Sequence, residues 1–338
     1  MKQIVIPRSG GTDVLTIKEA PDPAAEAGQV VVETRAAGIN FADVLARQGL
    51  YPDAPGMPCV VGYEIAGVVR EIGAGVEGFK VGDKVFGMTR FGGYSSVVSV
   101  PAGQLFPMPD TLSFEQAASI PVVYLTAFQL LVVMGSLRKG EKVLIHNAGG
   151  GVGLAALDIA RNIGAVTIGT ASPGKHLFLK ERGLEHAIDY RSLDWEKELN
   201  KLTDGKGVEL VIDPLGGSHW KKSYRALRAT GRLGMFGIST ASESNLFGFL
   251  KLASTAAGMP FFHPVNLMNT NKSVFGVNMG RLWDETEKIR EWMHDILEGV
   301  RAGWARPHVD KSFAFERAGE AHAYLEARKN IGKVVLIP

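Results

Sequence analysis

Residues 142–153 read KVLIHNAGGGVG. An apolar run, Val143, Leu144 and Ile145, meets a glycine cluster, and an apolar-periodic segment follows over residues 154–163. The pattern predicts strand, tight turn and helix. Within it Ala148, Gly150, Gly151, Val152 and Gly153 fit the spacing A-x-G-x-x-G, with alanine in the first glycine position. Residues without bulky side chains let a backbone approach a pyrophosphate, and the amides at a helix start face the anion. The chemistry indicated is dinucleotide binding.

The next strand, predicted over residues 165–170, selects the dinucleotide. An NAD site carries Asp or Glu about 20 residues past the glycines, where it accepts from the ribose hydroxyls. Here the segment runs Gly169, Thr170, Ala171, Ser172, Pro173, Gly174, Lys175, and no carboxylate appears before Glu181. A carboxylate would repel a 2′-phosphate, whereas Ser172 and Lys175 can bind one by hydroxyl and charge. Tyr190, at the end of the third strand of this series, adds a hydroxyl. The expectation is NADPH.

The elements that must position these groups follow from pattern. Residues 29–37, 62–72 and 95–100 are β-branched runs bounded by glycine and proline, so the first hundred residues read as all-β. One helix, about 40–48, interrupts them. Ser113 and Gln116 form a capping box for a helix that Pro121 should end, and a second helix is expected over 123–134. Strands are then expected at 186–190, 208–214, 231–237 and 274–279, with helices between them such as 195–202 and 220–227. That alternation predicts an α/β unit, a doubly wound parallel sheet of about six strands. An amphipathic helix at 285–301 follows. A tail of strand (311–315), helix (318–328) and strand (333–337) is too small to fold alone and should rejoin the N-terminal domain.

Composition sets outer limits. The 338 residues suffice for two domains, and the net charge of +2 argues against nucleic acid or an anionic membrane as main partner. A single cysteine, Cys59, excludes an internal disulfide and suits a reducing, cytoplasmic setting. The N-terminal residues read as a strand and not as a signal peptide. The most apolar later stretch, 246–262, is interrupted by Lys251 and is short for a membrane span.

Several motifs carry a family resemblance across essentially the whole chain: GINFAD at 38–43, GLYP at 49–52, GYEIAG at 62–67, VGDKV at 81–85 and DPLGG at 213–217. The chain resembles the medium-chain dehydrogenase/reductase superfamily. Within it the chain looks like the zinc-independent, zeta-crystallin-like quinone oxidoreductases, and nearer still to the vesicle amine transport branch, whose ending KNIGKV at 329–334 resembles. The resemblance implies a Rossmann domain (residues 123–298) inserted in a GroES-like β domain (1–122 plus 299–338). It implies a homodimer joined through the last Rossmann strand. In zinc-dependent relatives the metal is held by a cysteine and by a histidine in a Gly-His-Glu segment; here Asn40 and Tyr63 stand at those positions. Amide and phenol are poor zinc ligands, and the eight histidines show no H-x-H, H-x3-H or H-E-x-x-H spacing, so no metal is expected.

By the same resemblance Asn40 lies over the nicotinamide, and Tyr51 donates a proton or hydrogen bond to the reduced acceptor. Tyr63 points into the same pocket. Thr126 touches the nicotinamide end, Phe236, Gly237 and Ile238 run along that half of the cofactor, and Asn330 and Lys333 reach the phosphates. Residues 247–267, rich in Phe, Leu and Met, are expected to wall an apolar acceptor pocket, with a dimer contact or lipid surface as alternatives. Hydride transfer from NADPH to a quinone or α,β-unsaturated carbonyl is the expected reaction. An enoyl-thioester reductase and a non-enzymatic, NADPH-linked lipid-binding protein with peripheral membrane contact are the alternatives.

Overall fold

The computed structural model of the chain describes residues 1–241 and 254–338. They divide into two compact units: Met1–Val123 with Gly280–Met293 and Pro307–Pro338, and Tyr124–Met279 with His294–Arg306. Sequence reasoning gave all of 123–298 to the Rossmann unit. Residues 280–293 instead group with the first unit, and residues 294–306 group with the second.

The first unit is built on β3 (Gln29–Gly38), whose valine run is buried on both faces. It pairs antiparallel with β4 (Glu64–Ile72), with β6 (Val97–Pro101) and with β15 (Lys333–Ile337). The sheet order is β14-β15-β3-β4-β5-β7, with β5 at Lys84–Met88, β7 at Leu105–Pro107 and β14 at Val309–Ala314; β1 (Lys2–Val5) and β2 (Thr16–Glu19) form a separate pair. The C-terminal strands thus complete the N-terminal sheet. Ile4, Val30, Val32, Ile65, Val85, Leu105, Phe313 and Leu336 share one buried cluster. Helix α1 (Phe41–Arg47) leaves the end of β3, with Asn40 at its N-cap position.

Pro121 does not end the helix that Ser113 caps. That helix, α2, stops at Ala118 and spans Phe114–Ala118, and Pro121 opens α3 (Pro121–Phe128). Proline fits the first helical position because the N–H it lacks would have no partner there, and its φ is already helical. A π-helical turn, Gln129–Val133, completes the segment.

The second unit is a six-stranded, all-parallel sheet in the order β10-β9-β8-β11-β12-β13, with β8 at Lys142–Ile145, β9 at Val166–Ala171, β10 at His186–Asp189, β11 at Val208–Asp213, β12 at Leu227–Met235 and β13 at Ser273–Gly276. Renumbered within the sheet this is 3-2-1-4-5-6, the doubly wound order, whose direction reverses between β8 and β11. Helix α4 (Gly151–Ile163) follows β8 and buries Leu154, Leu157 and Ile159. Behind it the Asp158 carboxylate accepts from Arg182 Nη2 at 2.6 Å, Tyr124 OH at 2.7 Å and the Arg306 N–H at 2.9 Å. Among the described residues no helix is long and apolar enough to cross a membrane.

Candidate functional site

In the second unit the glycine turn stands at the carboxyl end of β8, beside the switch point where doubly wound sheets take their ligands. Gly150 is the N-cap of α4, and no side chain caps it. The first amides of an α-helix have no intrahelical acceptor, so this uncapped start offers its donors to an anion. A β-carbon on Gly153 would stand 2.4 Å from the Asn147 carbonyl oxygen and 2.6 Å from that of Ala148. Both are backbone atoms, so only glycine lets the helix approach the turn this closely.

The end of β9 touches the same turn, since the Ala148 N–H donates to the Thr170 carbonyl at 3.1 Å. Ser172 follows β9 and leads into a short 3-10 turn, Pro173–Lys175. The Lys175 stem packs on the glycine turn: a β-carbon on Gly149 would lie 2.7 Å from Lys175 Cδ. Tyr190 follows β10 and is 37% exposed. Ser172, Lys175, Tyr190 and the glycines therefore share the carboxyl edge of three adjacent strands. Phe236, Gly237 and Ile238 follow β12 on that edge, where the Phe236 N–H donates to the Asp213 carbonyl at 3.3 Å. Thr126 is buried within α3.

In the first unit Asn40, Tyr51 and Tyr63 follow β3, follow α1 and precede β4. The two tyrosine rings meet edge to face with centroids 6.2 Å apart, and Phe91 lies 5.2 Å from Tyr63. With Trp283, Asp53 and Arg281 they line a pocket of about 250 Å³. Arg281 and Asp53 form an ion pair at its rim. The Tyr63 hydroxyl is buried, and apart from the neighbouring Tyr51 hydroxyl it meets no hydrogen-bonding group among the described residues. Burial, then the negative charge of Asp43, pushes its pKa upward, so it stays a protonated phenol. Burial also raises Tyr51.

Asn40 is held at both ends of its amide. Its Nδ2 donates to Glu64 Oε1 at 2.8 Å, and its Oδ1 accepts from Lys333 Nζ at 2.8 Å. Lys333 is buried and also donates to Glu64 Oε1 and to the Ile39 carbonyl at 2.7 Å. Three partners use all three donors of an ammonium. Lys333 is thus committed to the inside of the first unit and is not left to bind phosphate, which corrects the role expected of it. Asn330 is buried beside it, with Nδ2 donating to the Gly332 carbonyl at 2.7 Å.

The sequence reading missed what surrounds Asn40. Asp43 is fully buried and accepts from the Asn40 N–H at 2.8 Å, the Gly62 N–H at 3.1 Å and the Tyr94 hydroxyl at 3.2 Å. Burial raises its carboxyl to about 7 despite those donors. The Tyr94 oxygen also meets His322 Nε2 at 3.1 Å, and burial lowers that imidazole to about 3. One signal was available: Glu64 is followed by five apolar residues, Ile65 to Val69, and a carboxylate in such a run calls for a buried cation. Nothing local could have named Lys333 as that cation.

Of the expected apolar wall, residues 247–253 lie outside the described residues. In the described remainder Phe261 is 86% exposed and Val265 50% exposed.

Comparison with known proteins completes the assignment. The Alcohol dehydrogenase GroES-like domain matches residues 26–110, and the family described as Zinc-binding dehydrogenase matches residues 182–336. The synaptic vesicle membrane protein VAT-1 homolog of Rattus norvegicus is 38% identical over 341 residues, covering 100% of this chain and 84% of the relative. Among solved structures, Escherichia coli quinone oxidoreductase complexed with NADPH superposes with a TM-score of 0.88 at 30% identity, covering 100% of both chains. The CurK enoyl reductase superposes with a TM-score of 0.85 at 28% identity, over 99% of this chain and 98% of that one. The chain belongs to the medium-chain dehydrogenase/reductase superfamily, in its quinone-oxidoreductase-like part near the VAT-1 homologues.

Proposed function

We propose that the protein is an NADPH-dependent, zinc-independent reductase of a quinone or an α,β-unsaturated carbonyl. The observation that carries this reading is the Lys175 side chain lying on the glycine turn at the end of a strand that offers no carboxylate. The uncapped start of α4 binds the pyrophosphate. Ser172 and Lys175 hold the 2′-phosphate, which an acidic residue would repel. The NADPH bound by the solved quinone oxidoreductase supports the same cofactor here.

Bound NADPH supplies a hydride from its nicotinamide ring. The chain's own task is to bind, orient and protonate. Tyr51 and Tyr63, with phenols kept neutral by burial, donate hydrogen bonds to the oxygen on which negative charge develops. The aromatic lining of Tyr51, Tyr63, Phe91 and Trp283 favours a flat acceptor. Asn40 acts through its neighbours: with both amide ends engaged by Glu64 and Lys333, it is a fixed element of the site wall. The same engagement supports zinc independence. A Lys333 ammonium bonded to the Asn40 oxygen repels a dication, and a protonated phenol is a poor ligand.

We assign the protein to the cytoplasm as a homodimer, with the edge strand β13 as the joining surface. The test of the reaction is NADPH consumption, followed by absorbance, with an ortho-quinone and a panel of enones. Turnover of either class supports the reading. Binding of NADPH with no acceptor turned over, together with co-sedimentation on liposomes, would replace it by a lipid-binding one. A thioester reductase would show as turnover of enoyl thioesters alone.

A further inference from the structure

At the carboxyl ends of β8 and β11, the second unit brings together His146, Asp213 and His219, three side chains that the dinucleotide reading does not use. His146 directly follows β8, Asp213 ends β11, and His219 opens the helix His219–Arg225. One ligand atom from each lies within 4.8 Å of the others. His219 Nδ1 is 2.7 Å from Asp213 Oδ2. His146 and Asp213 are buried, while the His219 side chain keeps 20% exposure and gives the cluster a way to solvent.

The surroundings hold these groups as supports hold metal ligands. Thr170 Oγ1 meets His146 Nδ1 at 3.0 Å, which leaves Nε2 as the inward-facing nitrogen. The Leu215 N–H donates to Asp213 Oδ1 at 2.7 Å, which leaves Oδ2 toward the imidazoles. Ser223 Oγ stands between, 2.6 Å from Asp213 Oδ2 and 3.3 Å from His146 Nε2. Thr170 and the Leu215 N–H thus fix the far sides of His146 and Asp213, as partners do in metal sites, while Ser223 bridges the two inward atoms and must release them to an entering ion. Asp213 is also a buried carboxylate that, among the described residues, pairs with no lysine or arginine; His219 is its one ion-pair partner. A buried negative charge without a permanent cation is a place where a dication is favoured.

We propose that His146, Asp213 and His219 form a binding site for a divalent transition metal of the zinc class, separate from Asn40 and Tyr63. Two imidazoles and one carboxylate are a donor set zinc accepts, with a water in the fourth position. Tetrahedral bonding needs ligand atoms roughly 3.4 Å apart, so His219 Nδ1 and Asp213 Oδ2 must part from their present 2.7 Å as the ion enters. The contact between His219 Nδ1 and Asp213 Oδ2 is replaced by two bonds to the metal. Because His146 immediately precedes the glycine turn and Asp213 ends the neighbouring strand, bound metal ties β8 to β11 and raises stability. The proposal does not depend on the hydride-transfer reading.

The spacing of histidines in the chain could not show this site, since each ligand comes from a different element. The test uses the full chain freed of metal with a chelator, titrated with Zn2+ alone and with Co2+ as a spectroscopic probe. About one ion per chain should bind, Co2+ should give a tetrahedral visible spectrum, and the melting temperature should rise with Zn2+. His219→Gln can keep the hydrogen bond to Asp213 but removes the ligand nitrogen, so the spectrum and the thermal shift should vanish. Thr170→Val should weaken Zn2+ binding about 10- to 100-fold by freeing the His146 ring. Failure of the wild-type chain to bind, or binding that both variants retain unchanged, overturns the proposal.

Discussion

The Lys333 ammonium lies 2.8 Å from the amide oxygen of Asn40, although 293 positions of sequence separate them. The contact joins the start of the last strand to the N-cap of the first helix. It makes the Asn40 amide part of a buried charged cluster with Glu64.

That arrangement predicts a large stability loss on breaking the pair. Lys333→Met leaves Glu64 buried without its cation, and removing one partner of a buried ion pair costs about 3–5 kcal/mol. The urea midpoint should fall accordingly. Lys333→Met combined with Glu64→Gln should recover part of the loss, because the uncompensated charge is gone. A wild-type midpoint for the single variant would mean that solvent reaches Glu64.

Tyr63 should show opposed effects. Its buried hydroxyl has only the Tyr51 hydroxyl beside it and makes no well-formed hydrogen bond among the described residues, and such a group costs about 1–3 kcal/mol. Tyr63→Phe should therefore raise the melting temperature while lowering kcat. A variant that is more stable and equally active would remove the hydroxyl from the reaction.

Much of the fold was legible, because it rests on local pattern. The β8–turn–α4 unit is written in three apolar residues and five small ones, and the alternation after it indicated the other five parallel strands. Pro121 was misread because proline opens helices as readily as it follows them. The Asn40 environment was not legible, because Asp43, Glu64, Tyr94, His322 and Lys333 are scattered in sequence and meet only after the C-terminal strands join the N-terminal sheet. Lys333 was expected at the phosphates; the last strand is instead covered by β14 and β3 on its two sides, which carries the ammonium inside the first unit.

Gly153 should tolerate no side chain. Gly153→Ala would press a β-carbon on two carbonyl oxygens, so NADPH affinity should fall by roughly tenfold or more as the helix start moves from the anion. Gly56→Ala is the control, since a β-carbon there meets nothing within 4 Å. Equal NADPH affinity of the two variants, by fluorescence titration, would show that α4 does not need this close approach.

Stability should fall on acidification. Burial holds His146 and His322 near 3, below their ordinary 6.5. The unfolded chain therefore binds protons that the folded one refuses, and the contribution of both groups is full above about pH 6.5 and lost as pH falls toward 3. Asp43 opposes them: its carboxyl, raised to about 7, contributes fully below its ordinary 3.8 and loses that contribution as pH rises through 7. Two imidazoles outweigh one carboxyl, so the urea midpoint should be lower at about pH 5 than at about pH 7.5. His322→Gln should flatten the difference. A midpoint that rises on acidification would show that Asp43 dominates.

The most direct test of the account is the affinity for NADPH and NADH, titrated by fluorescence on the wild-type chain and on Lys175→Glu. The account predicts that the wild type prefers NADPH by roughly tenfold or more, and that the variant loses or reverses the preference because a carboxylate now faces the 2′-phosphate. Equal affinity for the two cofactors, or a preference that Lys175→Glu leaves intact, would contradict the reading of the β9 end as a phosphate site.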